Sequence, residues 1–229
     1  MGVKDRLPGN GSHALFLALK IKQYRIMNVF EPQFYPFTLP NAFHLLIAGN
    51  SRQEVDYFIN QTIKSLHPNE SNNEPCSTTF LDTREMPLPI INDKLNAVIE
   101  GLELRYKRQK MEHFLTVIIN DFADIVPDQA TFKSMVKIAE KGRRVGIHLI
   151  AGTSHINEDV ITGQIKALFP TRLALHTSNR KQSKLVLDCA GAELLADHGE
   201  CLLFHIDTVS HCLYDDPDAV GSINNNEHE

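Results

Sequence analysis

Apolar, strand-forming runs that alternate with amphipathic stretches constrain the fold of this chain most strongly. The intervals between the runs have helical apolar spacing, as at Leu95, Val98, Ile99 and Leu102. Alternation of this kind predicts an α/β fold, in which a mostly parallel twisted sheet is flanked by helices. The predicted strands lie near residues 43–48, 77–82, 115–120, 146–152 and 171–176, with a closing pair near 200–205 and 209–214.

The first apolar run leads into an altered phosphate-binding loop. Such a loop has the pattern G-x-x-x-x-G-K-[ST], because glycine amides cradle the phosphates, the Lys reaches the β- and γ-phosphates, and the hydroxyl holds Mg²⁺. Here only Gly49 matches the pattern. Glu54 stands at the second glycine, Val55 at the Lys and Asp56 at the hydroxyl.

Two later segments carry a family resemblance. Leu115–Asp124 resembles the Walker B strand of the FtsK/SpoIIIE DNA-translocase family. The segments 142–149, 159–163 and 170–172 are similar to the second half of that motor domain, in the same order. The resemblance extends from about Phe43 to Phe204 and implies a RecA-like P-loop NTPase core. It crosses the loop without a gap, so the loop has been substituted and not shortened.

The resemblance also predicts the domain organisation. Residues 43–214 form the FtsK-like RecA-type core, residues 1–42 an N-terminal extension and residues 215–229 a flexible C-terminal tail. We expect no counterpart of the family's winged-helix DNA-reading appendage.

The loop substitutions oppose triphosphate binding on electrostatic grounds. A carboxylate about 4 Å from a phosphate costs on the order of 4 kcal/mol at an effective dielectric near 20. Glu54 and Asp56 each add such a charge, and Arg52 offsets part of it. We therefore expect neither ATP nor Mg²⁺ as a cofactor.

The catalytic and sensor positions implied by the family are altered too. Asn120 and Asp121 stand where the family has an Asp-Glu pair, whose first acid orients the metal shell and whose Glu positions the attacking water. Asp121 could instead take the metal itself, or end its strand as an ordinary polar residue. Ser154 stands where the family has a Gln that senses the γ-phosphate, and His155 follows it.

Arg172 is a basic position that the resemblance retains. The family presents a basic residue near here toward the nucleotide of a neighbouring subunit, which predicts a trans-acting role for Arg172. The alternative is that Arg172 begins a strand and pairs with Asp188 or Glu193.

The net charge and the cysteines limit the functional classes that remain. The net charge of −5 is not that of a protein that coats DNA by itself, although basic residues cluster locally along the second half. The four cysteines form no C-x-x-C pair, and reduced thiols are the simplest account. His198, Cys201, His205, His211 and Cys212 crowd together, but their spacing matches no zinc signature, so no metal site is expected.

The sequence-based hypothesis is a catalytically inactive FtsK/SpoIIIE-like subunit, and therefore not an enzyme, that scaffolds or regulates a DNA-transfer, conjugation or secretion assembly. We expect homo- or hetero-oligomers, with active FtsK-like or VirD4-like ATPases as partners. No membrane segment is evident, so we expect a cytoplasmic location with recruitment to a membrane complex. The alternatives are an ATP-dependent double-stranded DNA translocase with an unconventional phosphate loop, and an ATP-independent nucleic-acid-binding module.

Overall fold

The computed structural model describes residues 16–24, 33–38, 44–66, 77–108, 114–196, 199–205 and 208–214. The predicted tail, 215–229, lies outside the described residues, as does part of the predicted extension. The strands are β1 (Phe16–Tyr24), β2 (Gln33–Thr38), β3 (Leu45–Ala48), β4 (Ser77–Asp82), β5 (Leu115–Asn120), β6 (Ile147–Thr153), β7 (Thr171–Ala174), β8 (Glu200–His205) and β9 (Thr208–Tyr214). The helices are α1 (Arg52–Leu66), α2 (Leu88–Arg108), α3 (Gln129–Lys141), α4 (Gly163–Leu168) and α5 (Arg180–Leu187).

In the described part of the chain these strands form one sheet in the order β2-β1-β9-β8-β7-β3-β6-β5-β4. The strands from β7 to β4 run parallel to one another, and β8, β9, β1 and β2 continue the sheet in antiparallel pairs. The predicted α/β class is confirmed, and each predicted strand is present. β1 and β2 belong to the predicted extension, and β1 pairs with β9 in the same sheet. The domain boundary at residue 43 stays a prediction.

The central strand β3 is buried on both faces, as expected of a parallel strand covered by helices. Because side chains alternate along a strand, Leu45 and Ile47 pack on one face and Leu46 and Ala48 on the other. The first face packs against α1 through Val55, Phe58 and Ile59. The second packs against α2, α3, α4 and α5. Each fully buried aliphatic side chain contributes roughly 1.5–3 kcal/mol.

The sheet order brings five strand ends to one edge. Since β7, β3, β6, β5 and β4 are parallel neighbours, their carboxyl ends and the segments that follow them lie side by side. In open α/β sheets ligands bind at this edge. None of the helices in the described ranges is long and apolar enough to cross a membrane.

Candidate functional site

The loop after β3 is short, because α1 begins soon after the strand ends. α1 starts at Arg52, three residues before Val55, the position of the motif's Lys. The Ser51 hydroxyl accepts a hydrogen bond from the Glu54 N–H at 3.3 Å, and the Ser51 carbonyl accepts one from the Val55 N–H at 3.1 Å. Ser-x-x-Glu is a helix-capping pattern, which explains why the helix begins here.

The amides of the connecting loop donate to neighbouring strand ends. The Gly49 N–H donates to the Thr153 carbonyl at 3.3 Å, and the Asn50 N–H donates to the His176 carbonyl at 3.0 Å. A Cβ on Gly49 would lie 2.6 Å from the Leu175 Cβ. Gly49 is therefore required for the close approach of two strand ends, and these two amides are already hydrogen-bonded within the protein.

Two of the predicted loop residues are buried away from the edge. Val55 is 2% exposed and belongs to the core beneath α1, while Glu54 is 3% exposed. The facing residue is Gly152, where a Cβ would lie 3.0 Å from Val55 Cγ1 and 2.4 Å from Ile59 Cδ1. Val55, which is predicted to stand at the position of the motif's Lys, thus forms an apolar contact between α1 and β6.

Asp121 lies at the end of β5 with its carboxylate held by three residues. Its backbone is left-handed, with φ 55° and ψ 54°, a conformation that Asp adopts more readily than most residues. Arg52 Nη2 lies 3.1 Å from Oδ2, while His155 Nδ1 lies 3.2 Å and Thr153 Oγ1 3.4 Å from Oδ1. The side chain is only 6% exposed, so these contacts fix a carboxylate at the edge of the sheet.

A second group of side chains joins the ends of β4 and β5 to α1. The Asn120 amide donates to Asp56 Oδ1 at 2.8 Å and to Asp82 Oδ2 at 3.1 Å. The Arg84 guanidinium donates to Asp82 Oδ1 through Nε at 2.8 Å and to Asp56 Oδ2 through Nη1 at 2.8 Å. We call Asp56, Asp82, Arg84 and Asn120 the Arg84 network.

The charges of this network support one another. Hydrogen bonds from Arg84, and then from Asn120, lower the pKa of Asp82 against the opposing effect of burial. Hydrogen bonds to Asp82 and Asp56 raise the pKa of Arg84 further above its usual value. The edge thus brings the side chains of Asp56, Asp82 and Asp121 together with two guanidinium groups, from Arg52 and Arg84.

The structure brings together only some of the predicted site residues. Asp56, Asn120 and Asp121 meet at the edge, and His155, which follows Ser154, reaches Asp121. Sequence reasoning missed Asp82 and Arg84. Their signal was the polar Asp82-Thr83-Arg84 segment at the end of a predicted strand, but only the sheet order places that strand beside β5.

Arg172 has the ion pair that the alternative hypothesis predicted. Its Nη2 donates to Asp188 Oδ2 at 2.7 Å, and its guanidinium carbon lies 4.1 Å from the centre of the Phe204 ring. The residue is 4% exposed, and burial lowers its pKa while Asp188 opposes that shift. The trans-acting role of Arg172 stays a prediction. Contact with a neighbouring subunit's nucleotide would require Arg172 to leave its pair with Asp188.

The histidines and cysteines that crowd together in the sequence lie, where the structure describes them, on the antiparallel strands β8 and β9. Cys201 and Cys212 lie opposite each other on β8 and β9, and both are buried. A hydrogen bond with Cys212, together with burial, raises the pKa of Cys201. Among the residues the structure describes, no three His, Cys, Asp or Glu side chains are grouped as a metal site, and His198 lies outside those residues.

Comparisons with known proteins find sequence similarity to DNA translocases. The chain is 29% identical over 201 residues to the DNA translocase FtsK of Leptospira interrogans, covering 69% of this chain and 21% of that protein. It is 43% identical over 91 residues to the DNA translocase SftA of Bacillus subtilis, covering 39% of this chain and 10% of that protein. The chain thus spans about a fifth or less of the length of these curated relatives. No family model matches.

Solved structures confirm the RecA-like P-loop fold. The conjugation coupling protein TcpA of pCW3, determined with ATPγS, superposes with a TM-score of 0.69 at 15% identity, covering 93% of this chain and 72% of that one. The cytoplasmic domain of the type VII secretion ATPase EccC of Thermomonospora curvata superposes with a TM-score of 0.66 at 15% identity, covering 78% of this chain and 27% of that one.

The expectation that this chain is not an enzyme is wrong. Its sequence relatives are named DNA translocases, and they point to an enzyme. That expectation counted the lost Lys and the added carboxylates of the loop. It gave Arg52 little weight and omitted Arg84, and the structure places both guanidiniums at the same edge.

Proposed function

Since the chain belongs to the FtsK/SpoIIIE family of P-loop motor domains, we propose that it is the motor core of an ATP-dependent double-stranded DNA translocase with an unconventional phosphate loop. The observation that supports this most directly is the Asp121 carboxylate, held at the carboxyl edge by Arg52 and His155. An acid at this place in the fold positions the attacking water in phosphoryl-transfer enzymes.

Two arginines supply the positive charge that the loop lacks. Arg52 is 52% exposed and Arg84 30% exposed at their side chains, so both guanidiniums are accessible from solvent. A guanidinium presents a planar set of N–H donors that matches phosphate oxygens. In this proposal the phosphates of ATP replace the carboxylates that now pair with Arg52 and Arg84.

The test is hydrolysis of ATP by the full chain, with and without linear duplex DNA. The proposal expects DNA-stimulated turnover that falls at least tenfold in Asp121→Asn, because the amide can no longer take a proton from water. Asp93→Asn, which alters an exposed carboxylate on α2, is the matched control and should keep the activity. Absence of turnover at high protein concentration with duplex DNA would overturn the proposal.

DNA contact through α5 is the next part of the proposal. Arg180, Lys181 and Lys184, with Leu185, line a shallow groove of about 400 Å³. α5 begins in the segment that follows β7, on the same side of the sheet as the Arg84 network. The double variant Arg180→Gln/Lys184→Gln removes two positive charges from α5. It should weaken duplex binding and flatten the salt dependence of that binding, because each phosphate contact releases a counterion. Unchanged binding would remove α5 from the DNA surface.

We also propose that this domain works with protein partners, either further copies of the chain or related FtsK-like or VirD4-like ATPases. The folds of a conjugation coupling protein and a secretion ATPase support this choice of partner class. Recruitment from the cytoplasm to a membrane complex would then depend on such a partner. Native mass spectrometry of the chain with ATP and duplex DNA would show oligomers, and a monomer under all conditions would contradict self-assembly.

A further inference from the structure

Two positions that normally serve a metal ion face each other in this site. The family resemblance places Asp56 at the Mg²⁺-binding hydroxyl and Asn120 at the first acid of the Walker B strand. In the structure Asn120 Nδ2 lies 2.8 Å from Asp56 Oδ1. This contact between α1 and the end of β5 therefore occupies the place where a divalent cation would be expected in this fold.

That place is bounded by the guanidinium of Arg84. Arg84 Nη1 is 2.8 Å from the second oxygen of the same Asp56 carboxylate, and Nε is 2.8 Å from Asp82 Oδ1. The Arg84 N–H also donates to Asp82 Oδ1 at 2.9 Å, which fixes the turn after β4. One cation thus bridges two carboxylates contributed by α1 and β4.

The residues present do not fit Mg²⁺ in this arrangement. Mg²⁺ requires near-octahedral oxygen ligands at about 2.0–2.1 Å. Asn120 directs its NH₂ group toward both carboxylates, so its amide oxygen is not the atom that faces them. Each oxygen of Asp56 and Asp82 already accepts a hydrogen bond from Arg84 or Asn120.

We propose that Arg84 is the resident cation of this site: a positioning residue that holds Asp56 and Asp82 in the place of the divalent ion, so that a free divalent cation binds there only after Arg84 leaves. The inference rests on the proposed function for its role, since it names what an incoming nucleotide must displace. It concerns this chain's own residues, and it can be tested without nucleotide or DNA.

The physical basis is competition for the same oxygens. A guanidinium that bridges two carboxylates neutralises one of their two charges and satisfies their lone pairs by charge-assisted hydrogen bonds. Removing it leaves two carboxylates close to each other, one of them 4% exposed at its side chain, with Asn120 free to turn its amide oxygen inward. That set of oxygens is suited to a hard divalent cation.

The experiment is titration of the full chain with Mn²⁺, a paramagnetic stand-in for Mg²⁺, followed by electron paramagnetic resonance at pH 7. The wild type should show no saturable site below millimolar Mn²⁺. Arg84→Met should gain one site with at least tenfold higher affinity, and the gain should disappear in Arg84→Met/Asp56→Asn. Arg84→Lys, which keeps the charge, should retain the wild-type behaviour. The matched control is Arg144→Met, which removes an exposed arginine outside the Arg84 network.

Two results would overturn the inference. One is a saturable wild-type Mn²⁺ site that Asp56→Asn removes; the other is a folded Arg84→Met variant that gains no site. Circular dichroism establishes folding, and Arg84→Gln replaces the Met variant if that variant loses its helical signal. Because neither ATP nor DNA is present, a failure here leaves the proposed translocase activity standing, and loss of ATPase activity leaves this inference standing.

Discussion

Polar groups at the carboxyl edge of the sheet are paired differently from polar groups inside its framework. Inside the framework, His44 lies between the Leu149 N–H and the Ala139 carbonyl, and Arg172 lies between Asp188 and the Phe204 ring. At the edge, Arg52 and Arg84 pair with acidic side chains while part of each guanidinium faces solvent. A buried pair can be broken only at the expense of the fold, whereas a partly exposed pair can exchange for a ligand of similar charge.

The largest expected effect is a loss of stability in Val55→Lys, which tests whether position 55 belongs to the buried framework. Val55→Lys restores the residue of the phosphate-loop motif, but it places an ammonium in the core beneath α1. Holding that Lys neutral at pH 7 costs about 5 kcal/mol, because its ordinary pKa is near 10.4. Chemical denaturation should show this loss. The exposed neighbour Gln53→Lys is the control, and equal stability of the two variants would mean that position 55 belongs to the edge.

Arg172→Met should have the next largest effect, about 2 kcal/mol of lost unfolding free energy. The variant removes the ion pair with Asp188 and the contact with the Phe204 ring, while Asp188, which is half exposed, can be hydrated. Lys137→Met breaks the exposed pair with Glu103 and should cause no measurable change. If both variants unfold at the same denaturant concentration, burial does not distinguish the two kinds of pair.

The smallest effect depends on pH. Burial lowers the pKa of His44, with its hydrogen bond to Ala139 opposing and Arg143 adding to the shift. The unfolded chain therefore binds a proton more readily, so the stability supplied by neutral His44 is present above about pH 6.5 and is lost as pH falls below it. Between pH 7.5 and 5.5 we expect a loss of about 1 kcal/mol. In His44→Gln this part of the pH dependence should disappear, and an unchanged pH profile would assign it to other histidines.

Most of the framework could be predicted from sequence because its signal is local. Runs such as Leu115–Asn120 and Ile147–Thr153 are apolar throughout, as expected of parallel strands buried on both faces, and each was placed within about a residue. The interpretation of Glu54, Val55 and Asp56 as substituted phosphate-loop positions stays a prediction. What could not be predicted was the burial of Glu54 and Val55, because α1 begins at a Ser-x-x-Glu cap that turns Val55 toward β6.

The edge was harder to predict because its residues are far apart in the chain. Arg84 and Asp56 are separated by 28 positions, and Arg52 and Asp121 by 69. Neither pair has a sequence pattern, and each depends on β4, β5 and β3 ending at the same side of the sheet. The prediction of a chain without enzymatic function is contradicted by its sequence relatives, which are named DNA translocases. That prediction counted charges along one loop and not across neighbouring strand ends.

The sequence by itself determined the strands, the helices and the family resemblance, since each is encoded in local apolar spacing or in a short ordered motif. Tertiary structure alone decided which charges meet. It buried Val55 and Glu54, paired Arg172 with Asp188, and placed the Arg84 guanidinium between Asp56 and Asp82. The physical reason is that electrostatic and hydrogen-bond energies depend on distances of a few ångströms, which the order of strands in the sheet sets.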